Sequence, residues 1–95
     1  DTTLTTVYTC PANTTALIKT IQITNEHGSS NLVDVHITDS SASATFEVFH
    51  ASMAAGTTEN GAVGTLVLEA GDVLKIQTAN ANVVEGTVGL IEIDF

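Results

Sequence analysis

The stretch Asn31-Leu-Val-Asp-Val-His-Ile-Thr38 decides the fold, because apolar and polar side chains alternate strictly along it from Val33 to Thr38. Successive side chains of a β-strand point to opposite faces of the sheet. The alternation therefore predicts an antiparallel strand with one buried face and one wet face. The side chains predicted to face the core are Val33, Val35 and Ile37. Those predicted to face solvent are Asp34, His36 and Thr38.

The flanking sequence carries further strand patterns. Thr15–Asn25 has apolar side chains on both sides of the alternation, which indicates a central, covered strand. Leu4–Thr9 reads as a short first strand that ends at Cys10-Pro11, because proline lacks a backbone donor. Four further strand segments are expected: Ala44–His50, Leu66–Leu68, Val73–Gln77 and Gly86–Asp94.

These segments give seven or eight short strands at spacings near ten residues, and no segment has a helical period. Such a pattern is typical of an antiparallel β-sandwich with jelly-roll or immunoglobulin-like Greek-key connections. A chain of 95 residues is short enough for a single domain. We therefore predict an all-β fold with one domain over residues 1–95, in which residues 1–6 form an N-terminal arm.

Local patterns add more specific expectations. Gly71 suits the left-handed conformation of a corner that Asp72 caps with its carboxylate, and Gly28 is available for a positive φ angle in the loop after Asn25. Alternation predicts that Leu17 and Ile21 share one side of their strand. Phe46, Phe49 and Phe95 fall late in strands, where they can fill the core. The closing strand is expected to supply Val88, Leu90, Ile91 and Ile93 for packing.

The charge balance excludes several classes of partner. The chain has two basic and eleven acidic residues, for a formal net charge of −9. Without a basic patch it has nothing to neutralise phosphates, so we expect neither nucleic-acid binding nor docking on an anionic membrane. No apolar run approaches the roughly 20 residues that a membrane helix needs. Cys10 is the single cysteine, so no intrachain disulfide forms. A single thiol is most often a small buried hydrophobe, but the sequence leaves the burial of Cys10 open.

No pattern in the sequence indicates catalysis, a cofactor or a metal centre. The three histidines, His27, His36 and His50, lack the two-residue spacing that places a pair of ligands on one strand face. Glu92 and Asp94 share a strand face, and we expect them to be a solvated outer surface rather than an acid and a base. Oxygen ligands for calcium are plentiful, yet no calcium-binding loop is present. The serines lack a nucleophile elbow, so we predict a protein that is not an enzyme.

Four segments resemble small virion proteins of tailed phages, often marine or cyanobacterial. The segments are Val7–Asn25 (VYTCPANTTALIKTIQITN), Val33–Ile37, Leu66–Gln77 and Val88–Ile93. The similarity covers most of the chain, although Ser52–Gly64 departs from the family pattern. It implies a capsid decoration (cement) protein on the virion exterior, assembled in the host cytoplasm. The resemblance also implies that the partner is the major capsid protein. A homo-oligomer, for which a trimer is favoured, would clamp neighbouring capsomers together.

An arm without a core of its own is free to order on a partner. The predicted capsid-facing residues are therefore Asp1, Thr2, Thr3, Leu4, Thr5 and Thr6, together with one loop end of the sandwich. Because closely packed copies at −9 each would repel one another, we expect a largely apolar, threonine-lined subunit interface. Two alternatives remain at this point. One is a phage tail, collar or fibre component for host attachment, and the other is a secreted carbohydrate-binding sandwich.

Overall fold

The structure, a computed structural model, describes residues 4–80 and 84–94. It is all-β in these residues, with eight strands, as the sequence predicted. The described residues include no helix that is long and apolar enough to span a membrane. The strands are β1 (Thr5–Thr9), β2 (Thr14–Asn25), β3 (Asn31–Asp39), β4 (Ala44–Met53), β5 (Thr58–Asn60), β6 (Leu66–Leu68), β7 (Val73–Thr78) and β8 (Val84–Asp94).

Two antiparallel sheets make up the fold. Sheet I has the strand order β1-β7-β3-β4. In sheet II, β2 is central and pairs with β8 along one edge, while β5 and β6 share its other edge. Consecutive strands mostly lie in different sheets, so the chain crosses repeatedly between the two layers. The architecture is the predicted antiparallel β-sandwich.

The core lies between the sheets and is made of side chains from both. On β3, Val33 and Val35 are fully buried and Ile37 is partly buried, which confirms the face predicted from the alternation. The buried apolar residues of the described chain are Cys10, Ala16, Ile18, Ile21, Ile23, Val33, Val35, Met53, Ala62, Leu68 and Leu74. Covering an aliphatic side chain of this kind contributes about 1.5–3 kcal/mol.

A β-bulge at Lys19 changes the predicted phase of β2. Ile18 lies opposite Leu90 and Thr20 lies opposite Gly89, so Lys19 is the extra residue. A bulge reverses the alternation that follows it, and Ile18 and Ile21 are consequently both buried. The predicted central position of β2 is correct, but the prediction of two covered faces is wrong. The bulge fits because Gly89 has no Cβ, which would lie 2.6 Å from the Thr20 hydroxyl.

A second bulge interrupts β4 at Val48. Val35 lies opposite Phe49 and His36 lies opposite Glu47, which leaves Val48 as the extra residue. Phe49 packs partly buried against the core. Phe46 is 54% exposed at the edge of sheet I, so the prediction that it fills the core is wrong. The same prediction for Phe95 concerns a residue outside the described part of the chain.

The corner between β6 and β7 forms as predicted. Gly71 has φ +87°, and the backbone N–H of Glu69 donates to Asp72 Oδ2 over 2.9 Å. Gly28 is not among the residues with positive φ. The loop after β2 is held by the side chain of Asn25, which is fully buried. Its amide donates to backbone carbonyls that include Met53 O, 3.0 Å away.

Candidate functional site

The outer face of sheet II exposes a row of apolar side chains. Leu17 on β2 lies directly between Val67 on β6 and Ile91 on β8. The next pair on this face, towards the start of β2, is Thr15 with Ile93. Val67 is 57%, Ile91 50% and Ile93 49% exposed. Of the four closing-strand residues predicted to pack, Val88 and Leu90 pack partly buried against the core, whereas the prediction is wrong for Ile91 and Ile93. We call Leu17, Val67, Ile91 and Ile93 the apolar strip.

The apolar strip faces outward because the acidic residues of β8 occupy the inward positions. Glu92 lies opposite buried Ala16, and Asp94 lies opposite buried Thr14. Both carboxylates stay exposed, and they accept hydrogen bonds from the Tyr8 hydroxyl (2.5 Å) and the Thr14 hydroxyl (3.2 Å), respectively. Glu92 and Asp94 do share a face, as predicted, but not the outer one. Partial burial and the neighbouring Glu92 raise the pKa of the Tyr8 phenol.

The outer face beyond the Lys19 bulge is rich in threonine and nearly neutral. Its pairs on β2 and β8 are Thr20 with Gly89, Gln22 with Thr87 and Thr24 with Glu85. Among the paired outward positions of these two strands, Glu85 is the one carboxylate, and the unpaired Lys19 of the bulge adds one ammonium group. Lys19 Nζ lies 3.5 Å from the Thr65 hydroxyl. A neutral face of this size is notable in a chain with a net charge of −9.

The outer face of sheet I is polar and brings two acids and a histidine together. Asp34 on β3 lies opposite His50 on β4, and the two side chains are hydrogen-bonded. Glu47 Oε1 is 3.2 Å from His50 Nδ1. The hydrogen bond to Asp34, reinforced by the negative charges of Asp34 and Glu47, raises the pKa of His50. We call Asp34, Glu47 and His50 the histidine–carboxylate cluster.

Sequence reasoning missed the histidine–carboxylate cluster. In a regular strand, Glu47 and His50 would point to opposite faces, because an odd spacing reverses direction. The bulge at Val48 places both on the outer face. Asp34 was predicted to face out and does so. The missing signal was the bulge, which depends on pairing between strands.

The other two histidines lie in different surroundings. His36 is opposite Glu47 on the outer face of sheet I, as predicted, and its Nδ1 is buried without a hydrogen-bond partner among the described residues. His27 follows β2 in a loop, where its Nδ1 accepts from the Ser29 backbone N–H and contacts the Ser29 hydroxyl at 2.7 Å. The structure therefore does not gather the three histidines into one site.

Cys10 and a small cavity are the remaining candidates for chemistry. The Cys10 thiol is 1% exposed and donates to the carbonyl of Thr14 at 3.3 Å, and burial raises its pKa. The sequence left the burial of Cys10 open, and the structure places its side chain in the core, the usual place for a single thiol. A cavity of about 190 Å³ opens between β1 and β8, lined by residues that include Val7, Ile76 and Val88. Ligand pockets for small molecules are usually about 300–1,000 Å³.

The predicted capsid-facing residues fall into three groups. Asp1, Thr2 and Thr3 lie outside the described residues. Leu4 precedes β1 and is 38% exposed. Thr5 and Thr6 belong to β1, where they pair with Ile76 and Lys75 of β7, so this part of the predicted arm is a strand of sheet I. The role of residues 1–6 in binding a capsid stays a prediction.

Comparison with protein families, curated proteins and solved structures completes the description of the site. No family model, no curated protein and no solved structure matches the chain.

Proposed function

We propose that this chain is a non-enzymatic structural protein that docks on a protein shell through the outer face of sheet II. The observation that carries the proposal is the apolar strip, three of whose members are about half exposed in adjacent register positions. Contiguous apolar patches on soluble domains usually mark sites of interaction. The partner chemistry that fits is a protein surface with its own apolar patch.

The charge distribution supports a protein partner. Nucleic acids and anionic lipids would be repelled by a chain with a net charge of −9. On the outer face of sheet II, the paired outward positions of β2 and β8 carry one acid, Glu85, and the Lys19 bulge adds one base, so this face would not repel an acidic protein surface. Its threonine and apolar composition is also the one predicted for an interface between closely packed acidic copies.

The sequence resemblance supports a more specific form of the proposal. We propose a capsid decoration protein of a tailed phage, which binds the outer surface of the major capsid protein and bridges neighbouring capsomers. A trimer placed where three capsomers meet would present three such faces at once. Weak contacts repeated in this way give avidity, so no single contact has to be tight.

Co-sedimentation with phage heads stripped of the protein tests this proposal. We expect the purified chain to pellet with the heads and to remain bound at about 1 M salt, where the Debye length falls to roughly 3 Å. A protein that stays in the supernatant at all salt concentrations contradicts the proposal. Electron cryomicroscopy of the particle then separates decoration, with copies spread over the shell, from a tail or collar role, with few copies at one vertex.

A matched pair of variants tests the docking face. Val67→Thr places a hydroxyl in the centre of the apolar strip while keeping a β-branched side chain suited to a strand. Val63→Thr makes the same change in a loop residue that is 79% exposed and outside the strip. We expect Val67→Thr to reduce binding to heads and Val63→Thr to leave it unchanged. Equal binding by both variants would remove the outer face of sheet II from the proposal.

A further inference from the structure

The outer face of sheet I carries a second group of side chains that could bind a ligand. In the histidine–carboxylate cluster, one ligand atom each from Asp34, Glu47 and His50 lies within 4.8 Å of the other two. We propose that this cluster is a binding site for a divalent transition-metal ion such as Zn²⁺, held by the two carboxylates and by His50 Nδ1. The site lies on the outer face of sheet I and is independent of the docking face on sheet II.

The distances suit one ion with small adjustments of the side chains. Zinc binds nitrogen and carboxylate oxygen at about 2.0–2.2 Å, so two ligands of one ion lie at most about 4.4 Å apart. Glu47 Oε1 and His50 Nδ1 are 3.2 Å apart, and His50 Nδ1 is hydrogen-bonded to Asp34. An ion at this point would replace the contacts that His50 Nδ1 makes with the two carboxylates. The ligand atoms are therefore already brought together before the ion arrives.

The backbone fixes two of the three ligands relative to each other. Asp34 lies on β3, which is held between β4 and β7, and its side chain is 19% exposed. The pairing of Asp34 with His50 is set by the strand register, and the bulge at Val48 adds Glu47 to the same face. Such preorganisation lowers the entropy that ion binding would otherwise cost.

The donor set favours a transition metal over calcium. Calcium takes six to eight oxygen ligands, whereas an imidazole nitrogen suits zinc, copper, nickel and iron.

Two neighbouring carboxylates also need positive charge nearby. Within residues 4–80 and 84–94, the ion pairs of Asp34 and Glu47 are both with His50, whose charge depends on a proton. A divalent ion would neutralise both acids whatever the protonation of His50.

His36 is a further histidine on the same face. It lies directly opposite Glu47, and its buried Nδ1 has no hydrogen-bond partner among the described residues. Its ring falls outside the set whose ligand atoms are mutually within 4.8 Å. The proposal therefore rests on three protein ligands, with solvent completing the coordination.

Calorimetric titration of the full chain with zinc chloride, in a buffer that does not chelate metal, tests the site. We expect one ion per chain, and no competition from a large excess of calcium chloride. His50→Ala and Asp34→Asn each change one of the three ligands and should weaken zinc binding by about 10–100-fold or more. Loss of a residue that only supports a metal ligand already costs about 10–100-fold in affinity.

The control variant is His27→Ala, which removes a histidine from the loop after β2 and leaves sheet I unchanged. We expect its affinity for zinc to stay within about twofold of the wild type. Since a tenfold change in affinity corresponds to about 1.4 kcal/mol, a twofold change is below about 0.5 kcal/mol. Circular dichroism confirms that each variant is folded before titration. The proposal is overturned if the wild type shows no saturable zinc binding, or if His27→Ala loses as much affinity as His50→Ala.

Discussion

Asp72 offers the sharpest test of how the corners of the sandwich are held. This carboxylate is 7% exposed and lies in the corner between β6 and β7. Its Oδ2 accepts the backbone N–H of Glu69 over 2.9 Å. Its Oδ1 accepts the backbone N–H and the hydroxyl of Ser40, at 3.0 and 3.1 Å. Asp72 thus ties its own corner to the loop between β3 and β4.

The substitution Asp72→Asn keeps the shape of the side chain but replaces one acceptor oxygen with an NH₂ donor. If the amide oxygen stays against Ser40, the NH₂ group faces the Glu69 N–H, and two donors oppose each other. Loss of a hydrogen bond to a charged group costs about 1.5–3 kcal/mol. We therefore expect the free energy of unfolding to fall by about 2–3 kcal/mol. For a domain of this size each 1 kcal/mol corresponds to roughly 4–8 °C in Tm.

Chemical denaturation followed by far-ultraviolet circular dichroism measures this loss. The matched control is Asp39→Asn, because Asp39 also accepts three hydrogen bonds but takes all of them on Oδ1, from the N–H and hydroxyl of Ser41 and the N–H of Ala42. An asparagine there keeps its acceptor oxygen, so we expect a much smaller loss. Equal losses for the two variants, or a change below about 0.5 kcal/mol in Asp72→Asn, the range of an ordinary surface substitution, would refute the reasoning.

Three further predictions concern single side chains. The buried Cys10 thiol, whose pKa burial raises, should react with a thiol reagent only when the protein unfolds, and rapid labelling of the native protein would contradict its placement. In an NMR titration, the midpoint of His50 should lie above the usual value of about 6.5 and should fall in Asp34→Asn. Since the folded pKa is the higher one, this contact stabilises fully below about pH 6.5 and is lost as pH rises through the His50 pKa. Tyr8→Phe should lower the free energy of unfolding by about 0.5–1.5 kcal/mol in chemical denaturation, because it loses the hydrogen bond to Glu92, and an unchanged midpoint would exclude a stabilising role.

Much of the fold follows from local sequence patterns. The alternation of β3 determines its buried and exposed faces, because a slip by one residue would turn every valine to solvent. The corner at Gly71 and Asp72 follows equally from local chemistry, since only a few residue types suit a positive φ and a side-chain cap. The contact of Asp72 with Ser40 was not predictable, because it joins loops that are distant in the chain.

The phase errors on β2 and β4 share one physical cause, which is the pairing between strands. The bulge at Lys19 depends on the absence of a Cβ at Gly89, a residue far along the chain on another strand. The bulge at Val48 likewise appears only in the register of β4 against β3. Each bulge reverses the side-chain phase beyond it. Alternation alone therefore could not place Ile21 relative to Leu17 on β2, or Glu47 relative to His50 on β4. The candidate metal site was therefore invisible in the sequence.

The arrangement of β8 bears on how sheet II makes contacts. β8 is an edge strand, and the unpaired backbone groups of an edge are a template for a strand from another chain. Glu92 and Asp94 lie on the inward side of this strand, opposite Ala16 and Thr14. Inward-pointing charges disfavour strand addition, because a continued sandwich would bury them. Since the same alternation turns the isoleucines of β8 outward, the strand protects its edge and supplies the apolar strip at once. The sequence of β8 thus favours association through the face of sheet II over association through its edge.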